Sequence, residues 1–246
     1  MFANYLNEMI FTRRIFSATF ITAILIITCT ACHAQDNQSF GNWNSVLVKG
    51  KLSPKWSLLG EGHIRSSNYD FKYDYFEIKT GIGYAISKNL TGLFGTGFFN
   101  TDEPGGFFRT PALQKELRTW LELNLKQNFK RFYFEHRVRL EQRFIGDKYK
   151  NRLKYRLGLL VPINKTELVQ GSIYLSLSDE LFIPQYGPVV EKNRFYIGAG
   201  YKMNKNAAFQ VGCVNDNDYK PNIHTAKNYL QIMLIYDFTN LVKKRT

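Results

Sequence analysis

An all-β fold, a single antiparallel up-and-down transmembrane β-barrel, is predicted by three observations. Apolar and polar residues alternate with a period of two along most of the chain. The alternating segments are separated by turn residues, with short connections at one end and longer ones at the other. Aromatic side chains gather beside both sets of connections. A strand sends successive side chains to opposite faces, and a barrel in a membrane shows apolar residues to lipid, polar residues to its interior and aromatic girdles at both interfaces. At 246 residues the chain has the size of one such domain.

Each element follows from its own alternation. The clearest runs from Arg131 to Phe144: Phe132, Phe134, Val138, Leu140 and Phe144 share one parity. The other parity holds Arg131, Tyr133, Glu135, Arg137, Arg139, Glu141 and Arg143. At 100° per residue the same arginines would scatter around a helix, so the strand reading wins. The run before it sets Leu117, Leu121, Leu123 and Leu125 against Glu116, Arg118, Trp120 and Glu122. The run after it sets Leu153, Tyr155, Leu157 and Leu159 against Arg152, Lys154 and Arg156. Segments at 76–86, 169–178, 194–202 and 230–238 alternate as well, whereas 40–50, 56–66, 90–100 and 207–215 are noisier. These are eleven candidates. Single-chain bacterial barrels carry even numbers, so ten to twelve strands are expected, with twelve favoured.

Short turns are expected at Ser53-Pro54, Ser87 to Asn89, Asn128 to Arg131, Asn164-Lys165 and Asn204 to Asn206. Longer loops are expected at 67–72, 101–111, 145–150, 182–191 and 216–224. Trp56, Tyr84, Phe132, Tyr201, Tyr236 and Phe238 flank the short turns, and Phe71, Phe98, Phe144 and Phe195 the long loops.

Residues 1–34 read as a signal peptide: Arg13 and Arg14 precede the apolar stretch Ile15–Thr28, and Ala31 to Ala34 offers a small-residue cleavage site. The barrel domain is then 35–246. Cleavage removes Arg13, Arg14 and Glu8, so the formal charge falls from +13 to +12. Cys29 and Cys32 leave too, and Cys213 alone cannot form an internal disulfide. No later segment is apolar for long enough to span as a helix. The slightly negative mean hydropathy agrees with a barrel, where only alternate residues meet lipid.

The opening Phe40-Gly41-Asn42-Trp43, a first hairpin through Lys51 to Trp56, the charged run Phe134 to Glu141 and the closing Tyr229 to Phe238 resemble a widespread family of exported Gram-negative proteins, the domain of unknown function 2490. The resemblance covers about Phe40 to Phe238. It implies an outer-membrane barrel and a terminal strand read by the barrel-assembly machinery, and it brings no catalytic residue. The tail from Leu241 to Thr246 departs from a chain that ends on its terminal aromatic.

Candidate chemistry concentrates inside. Arg118, Arg137, Arg139, Arg143, Arg152, Lys154 and Arg156 come from three consecutive strands and are the candidate lumen-binding residues for a small anionic solute. Glu116, Glu122, Glu135 and Glu141 on the same faces favour an internally paired interior instead, because buried charges require partners. His63 shares a face with Glu61 and Arg65, and His136 falls on the apolar parity. His224 with Asp216 and Asp218 is the one grouping near an expected loop that could serve a rim hydrolase, but no nucleophile stands at a recognisable spacing. Asp216-Asn217-Asp218 lacks the Gly and Glu of a calcium loop. The Gly83, Gly95, Gly97, Gly198 and Gly200 spacing is that of strands, not of a nucleotide-binding turn. The reading is therefore an outer-membrane barrel of non-enzymatic role with a charged, net basic lumen: a narrow porin-like channel, a binding barrel or an envelope-assembly component. No cofactor, metal or nucleic acid is expected, and the partners are outer-membrane lipid and the assembly machinery. The rivals are an outer-membrane hydrolase and a soluble exported barrel holding a hydrophobic ligand.

Overall fold

The structure is a computed structural model that describes residues 40–69, 72–106, 112–220 and 223–239. All of them lie in one compact unit, Gln38–Thr246. Residues 1–34, Phe71 and the tail at 241–246 fall outside the described residues.

Eleven strands form one closed barrel: β1 (Phe40–Lys51), β2 (Trp56–Ser66), β3 (Tyr75–Ala85), β4 (Leu90–Thr101), β5 (Gln114–Phe129), β6 (Phe132–Ile145), β7 (Lys148–Pro162), β8 (Ile173–Pro184), β9 (Lys192–Tyr201), β10 (Ala207–Lys220) and β11 (Ile223–Asp237). The expected even count is corrected to eleven. A fully antiparallel barrel needs an even number, because its first and last strands must run in opposite directions. Here β1 and β11 pair in parallel, from Phe40 opposite Asn228 to Lys49 opposite Asp237, so the barrel is mixed. The weakly alternating segment at Phe40 is a full strand, antiparallel to β2 on its other side. In consequence β1 enters at one rim and β11 leaves at the other.

Register sets the dimensions. Followed once around the sheet from Leu90, the pairing climbs about fourteen residues before returning to β4. With standard strand spacings this gives a tilt of about 41° and a backbone radius of roughly 11 Å. Long inward side chains therefore reach well into the interior and can bridge strands that are not neighbours in the sheet.

The two faces differ sharply. Outward rows are apolar and open to the surroundings: Ile78 and Leu121 are each 63% exposed, joined by Val46, Leu58, Phe94, Leu117, Leu140, Leu153, Ile232 and Leu234. Inward rows are aromatic and charged, with Trp120 at 2% and Glu141 at 1%. Trp43, Phe99, Tyr174, Phe182, Tyr196 and Tyr229 are buried as well. Two glycines make room for this packing: a Cβ at Gly95 would overlap the Trp120 indole, and one at Gly200 the Tyr174 ring.

The connections differ from expectation in three places. The loops expected at 145–150 and 216–224 are instead long hairpins: β6 and β7 are joined by residues 146–147, and β10 and β11 pair as far as Lys220 opposite Ile223. Gly146 at φ 54° supplies the left-handed backbone of such a turn. Conversely, the short turn expected at Asn164-Lys165 is the longer connection 163–172, and it takes in Val169, expected in a strand. Asn164 holds this connection: its Nδ2 donates to the Gly171 carbonyl (2.9 Å) and its Oδ1 accepts from the Ile173 amide (2.7 Å).

Candidate functional site

The barrel interior is the candidate site, and sequence parity populates it. All seven expected cations lie on inward rows of β5, β6 and β7, and each meets a carboxylate. Arg118 and Arg143 both bind Glu116, at 2.7 and 2.5 Å. Arg139 meets Glu122 at 2.5 Å, and Arg137 meets Glu180 at 2.5 Å. Arg152 lies 2.6 Å from Glu141 and 2.8 Å from Glu191. Lys154 lies between Glu180 (3.3 Å) and Glu141 (3.5 Å), and Arg156 pairs with Glu135 at 2.6 Å. The register places some cations directly opposite one another, as with Arg118 and Arg143 or Arg137 and Arg156. Carboxylates one step away on the same face relieve that repulsion.

Aromatic rings are interleaved with the charges. The Arg118 guanidinium lies 3.7 Å from the Phe99 ring centre and that of Arg139 4.7 Å from Trp120. Phe182 has Lys154 at 4.4 Å, Arg152 at 4.9 Å and Arg194 at 5.2 Å. Guanidinium groups over aromatic faces gain cation–π attraction that grows as water is excluded. The arrangement fills space and balances charge at the same time.

The network extends beyond the residues expected. Arg194 of β9 binds Asp216 at 3.0 Å, and Lys192 binds Asp216 at 2.9 Å and Asp218 at 3.0 Å. Arg65 of β2 reaches Asp216 of β10 at 3.9 Å and lies 4.5 Å from the Trp43 ring, which Arg194 approaches from β9 at 4.7 Å. Strands that are not neighbours in the sheet can touch in this way only through the interior. Glu180 and Arg194 were legible from their own inward parities in β8 and β9. Asp216 and Asp218, expected in a solvated loop, belong to β10, and Asp216 is buried. Their carboxylates lie on the inward row because they share the parity of the buried Ala208, Gln210 and Val214, and there Lys192 and Arg194 stand beside them.

The histidines divide. His63 is buried, and its Nδ1 accepts from Trp43 Nε1 (3.0 Å) with Ser45 Oγ at 2.7 Å. Indole N–H can only donate, so the ring proton belongs on Nε2, which faces Glu61 and Glu77, each at 3.5 Å. Lys79 pairs with both of these carboxylates. Ser45 and His63 stand at the reach of a nucleophile and its base, but the indole N–H occupies the same lone pair and both side chains are buried. His136 faces outward against the Tyr155 hydroxyl at 2.9 Å. His224 stacks on Tyr219 and meets Asn217 Oδ1 at 3.2 Å. It lies on the outward row, whereas Asp216 and Asp218 point inward, so that candidate hydrolytic grouping is not assembled. Among the described residues no group of three or more His, Cys, Asp and Glu is arranged to hold a metal ion.

No curated protein and no solved structure matches the chain. The family model described as protein of unknown function, DUF2490, matches residues 40–227, from the first residue of β1 into the start of β11. The chain therefore belongs to the DUF2490 family.

Proposed function

We propose that this protein is an integral outer-membrane β-barrel of non-enzymatic role, a binding or envelope-assembly component whose interior is packed with paired charges and not an open channel. One observation carries the reading: the barrel turns its apolar rows outward and its charged rows inward. In water that polarity would expose a contiguous apolar belt around the whole circumference, far beyond the patches that soluble monomers tolerate. In a bilayer it is the required arrangement, and closure removes the unpaired edge amides that hydrocarbon forbids. A soluble barrel with a hydrophobic ligand needs the reverse polarity.

Two aromatic girdles support a bilayer orientation. Trp56, Tyr84, Phe132, Tyr201 and Tyr236 are outward-facing beside the short turns, and Phe98, Phe144 and Phe195 toward the long-loop rim. The short turns would face the periplasm. Among the functions of such a barrel, a packed interior disfavours conduction. With a backbone radius of roughly 11 Å, inward rings and ion pairs crowd the interior, and each of the seven candidate cations already has a carboxylate partner. Arg118, Arg137, Arg139, Arg143, Arg152, Lys154 and Arg156 then serve as counter-charges to internal glutamates. A small anionic solute would have to compete with those glutamates.

The test is electrophoretic mobility of unboiled and boiled samples from a purified outer-membrane fraction, followed by planar-bilayer recording. A boiling-dependent shift with no conductance steps is expected. Recovery in the soluble periplasmic fraction without a shift would overturn the membrane reading. Anion-selective steps abolished by Arg137→Glu plus Arg139→Glu would replace the sealed interior with a channel.

A further inference from the structure

The charge surplus of this chain does not reside in the interior, where cations meet carboxylates, but at the short-turn rim. That rim carries Lys51, Lys55, Lys88, Lys130, Arg131 and Lys165, all exposed, and its acids are Glu167 and Asp237. The opposite rim answers its lysines with Asp74, Asp102, Glu103, Asp147 and Glu191. Among the described residues the ion pairs leave out Lys51, Lys55, Lys88 and Lys130 altogether.

These cations stand directly beside the outward aromatic girdle. Trp56 packs edge-on against Tyr84 with ring centres 5.0 Å apart, and the Lys55 ammonium lies 5.8 Å from the Tyr84 ring. Lys130 lies 5.6 Å from the ring of Phe129, which is 64% exposed. Next to it, Lys130, Arg131, Phe132, Thr166 and Glu167 line a cleft of 430 Å³. Ammonium groups above a ring of exposed aromatics match the boundary between acyl chains and phosphates, where lysine stems lie on apolar surface and their heads reach the headgroups.

We propose that the short-turn rim is a docking surface for the headgroups of anionic phospholipids in the leaflet that surrounds it. The inference rests on the membrane reading above and names the lipid class which that end selects. Each lysine near an anionic surface raises the local lipid concentration by about fivefold at most, so with partial screening an enrichment of roughly two- to fivefold over bulk is expected.

Trp56 is a built-in reporter, because it is 45% exposed at this rim, whereas Trp43 and Trp120 are buried inside. The full chain is folded into phosphatidylcholine vesicles that contain either brominated phosphatidylcholine or brominated phosphatidylglycerol at one mole fraction. Tryptophan quenching is read alongside heat modifiability. Stronger quenching by the brominated phosphatidylglycerol is expected. It should be lost at about 0.5 M salt and in the Lys51→Gln, Lys55→Gln, Lys88→Gln variant, which should remain heat-modifiable. Equal quenching by the two lipids in a heat-modifiable barrel would overturn the rim as an anionic-lipid surface while leaving the membrane reading intact. Absence of quenching by brominated phosphatidylcholine would overturn the membrane reading, and this inference with it.

Discussion

Neutralising Glu141 is the sharpest test of the idea that the interior is held by paired charge. Its side chain is 2% exposed. Oε2 accepts from Arg152 Nε at 3.0 Å and Nη2 at 2.6 Å, and Oε1 lies 3.5 Å from both Arg139 Nη1 and Lys154 Nζ. Glu141→Gln keeps the shape, removes the charge and turns one acceptor into a donor facing cations. Two charge-assisted hydrogen bonds are each worth about 1.5–3 kcal/mol, and breaking a buried pair costs about 3–5 kcal/mol. The three cations each retain another acid, Arg152 through Glu191, Arg139 through Glu122 and Lys154 through Glu180. The loss should therefore fall at the lower end, about 3 kcal/mol. The assay is equilibrium urea unfolding of the barrel refolded in micelles, followed by tryptophan fluorescence and by the heat-modifiable band. Asp147→Asn, at an exposed turn, is the control and should change stability by less than about 0.5 kcal/mol. A loss below about 1 kcal/mol for Glu141→Gln would refute the argument, because it would mean that water already screens this carboxylate.

Three further outcomes follow from the same geometry. Gly95→Val drives a branched side chain into the Trp120 indole, so the refolded yield should collapse, and Trp120→Leu in the same chain should restore part of it, read as the fraction of heat-modifiable band. Leu121→Arg puts a charge at the middle of an outward row and should cost about 2–4 kcal/mol in bilayers, measured by urea unfolding in vesicles; no cost would argue that this face does not meet lipid. Val46→Pro removes an amide from β1, which pairs on both sides. A loss of at least about 1–3 kcal/mol, the cost of leaving the partner carbonyl unsatisfied, is expected in the same unfolding assay of a proline in a strand paired on both edges.

Much of the architecture is legible from one residue period. The rows around Leu117, Leu140 and Leu153 assign their faces without ambiguity, since a slip by one residue would move every leucine inward. The strand spacing of Gly95 and Gly200 marks them as inward small residues, but only the structure shows that the Trp120 and Tyr174 rings fill the space they leave. The partners of the charges are not foreshadowed. Glu180 stands opposite Arg156 in register but binds Arg137 of the strand beyond, because long side chains inside a tilted barrel reach past their nearest neighbour. The Ser45–His63–Trp43 contact joins two strands whose alignment depends on the first hairpin.

Alternation by itself determined that this chain is all-β, which residues share a face, and that one face is apolar and the other charged. That information is local, since it resides in the backbone's own period of two. Tertiary structure alone decided that all eleven segments close into one mixed barrel, and where the net charge lies. Closure through β1 and β11 joins residues near opposite ends of the chain, and no local pattern carries the direction in which two such strands run. The charge balance likewise depends on which cation finds which carboxylate across the interior. Only once those pairs are made does the surplus appear where it stands, on the rim of the short turns.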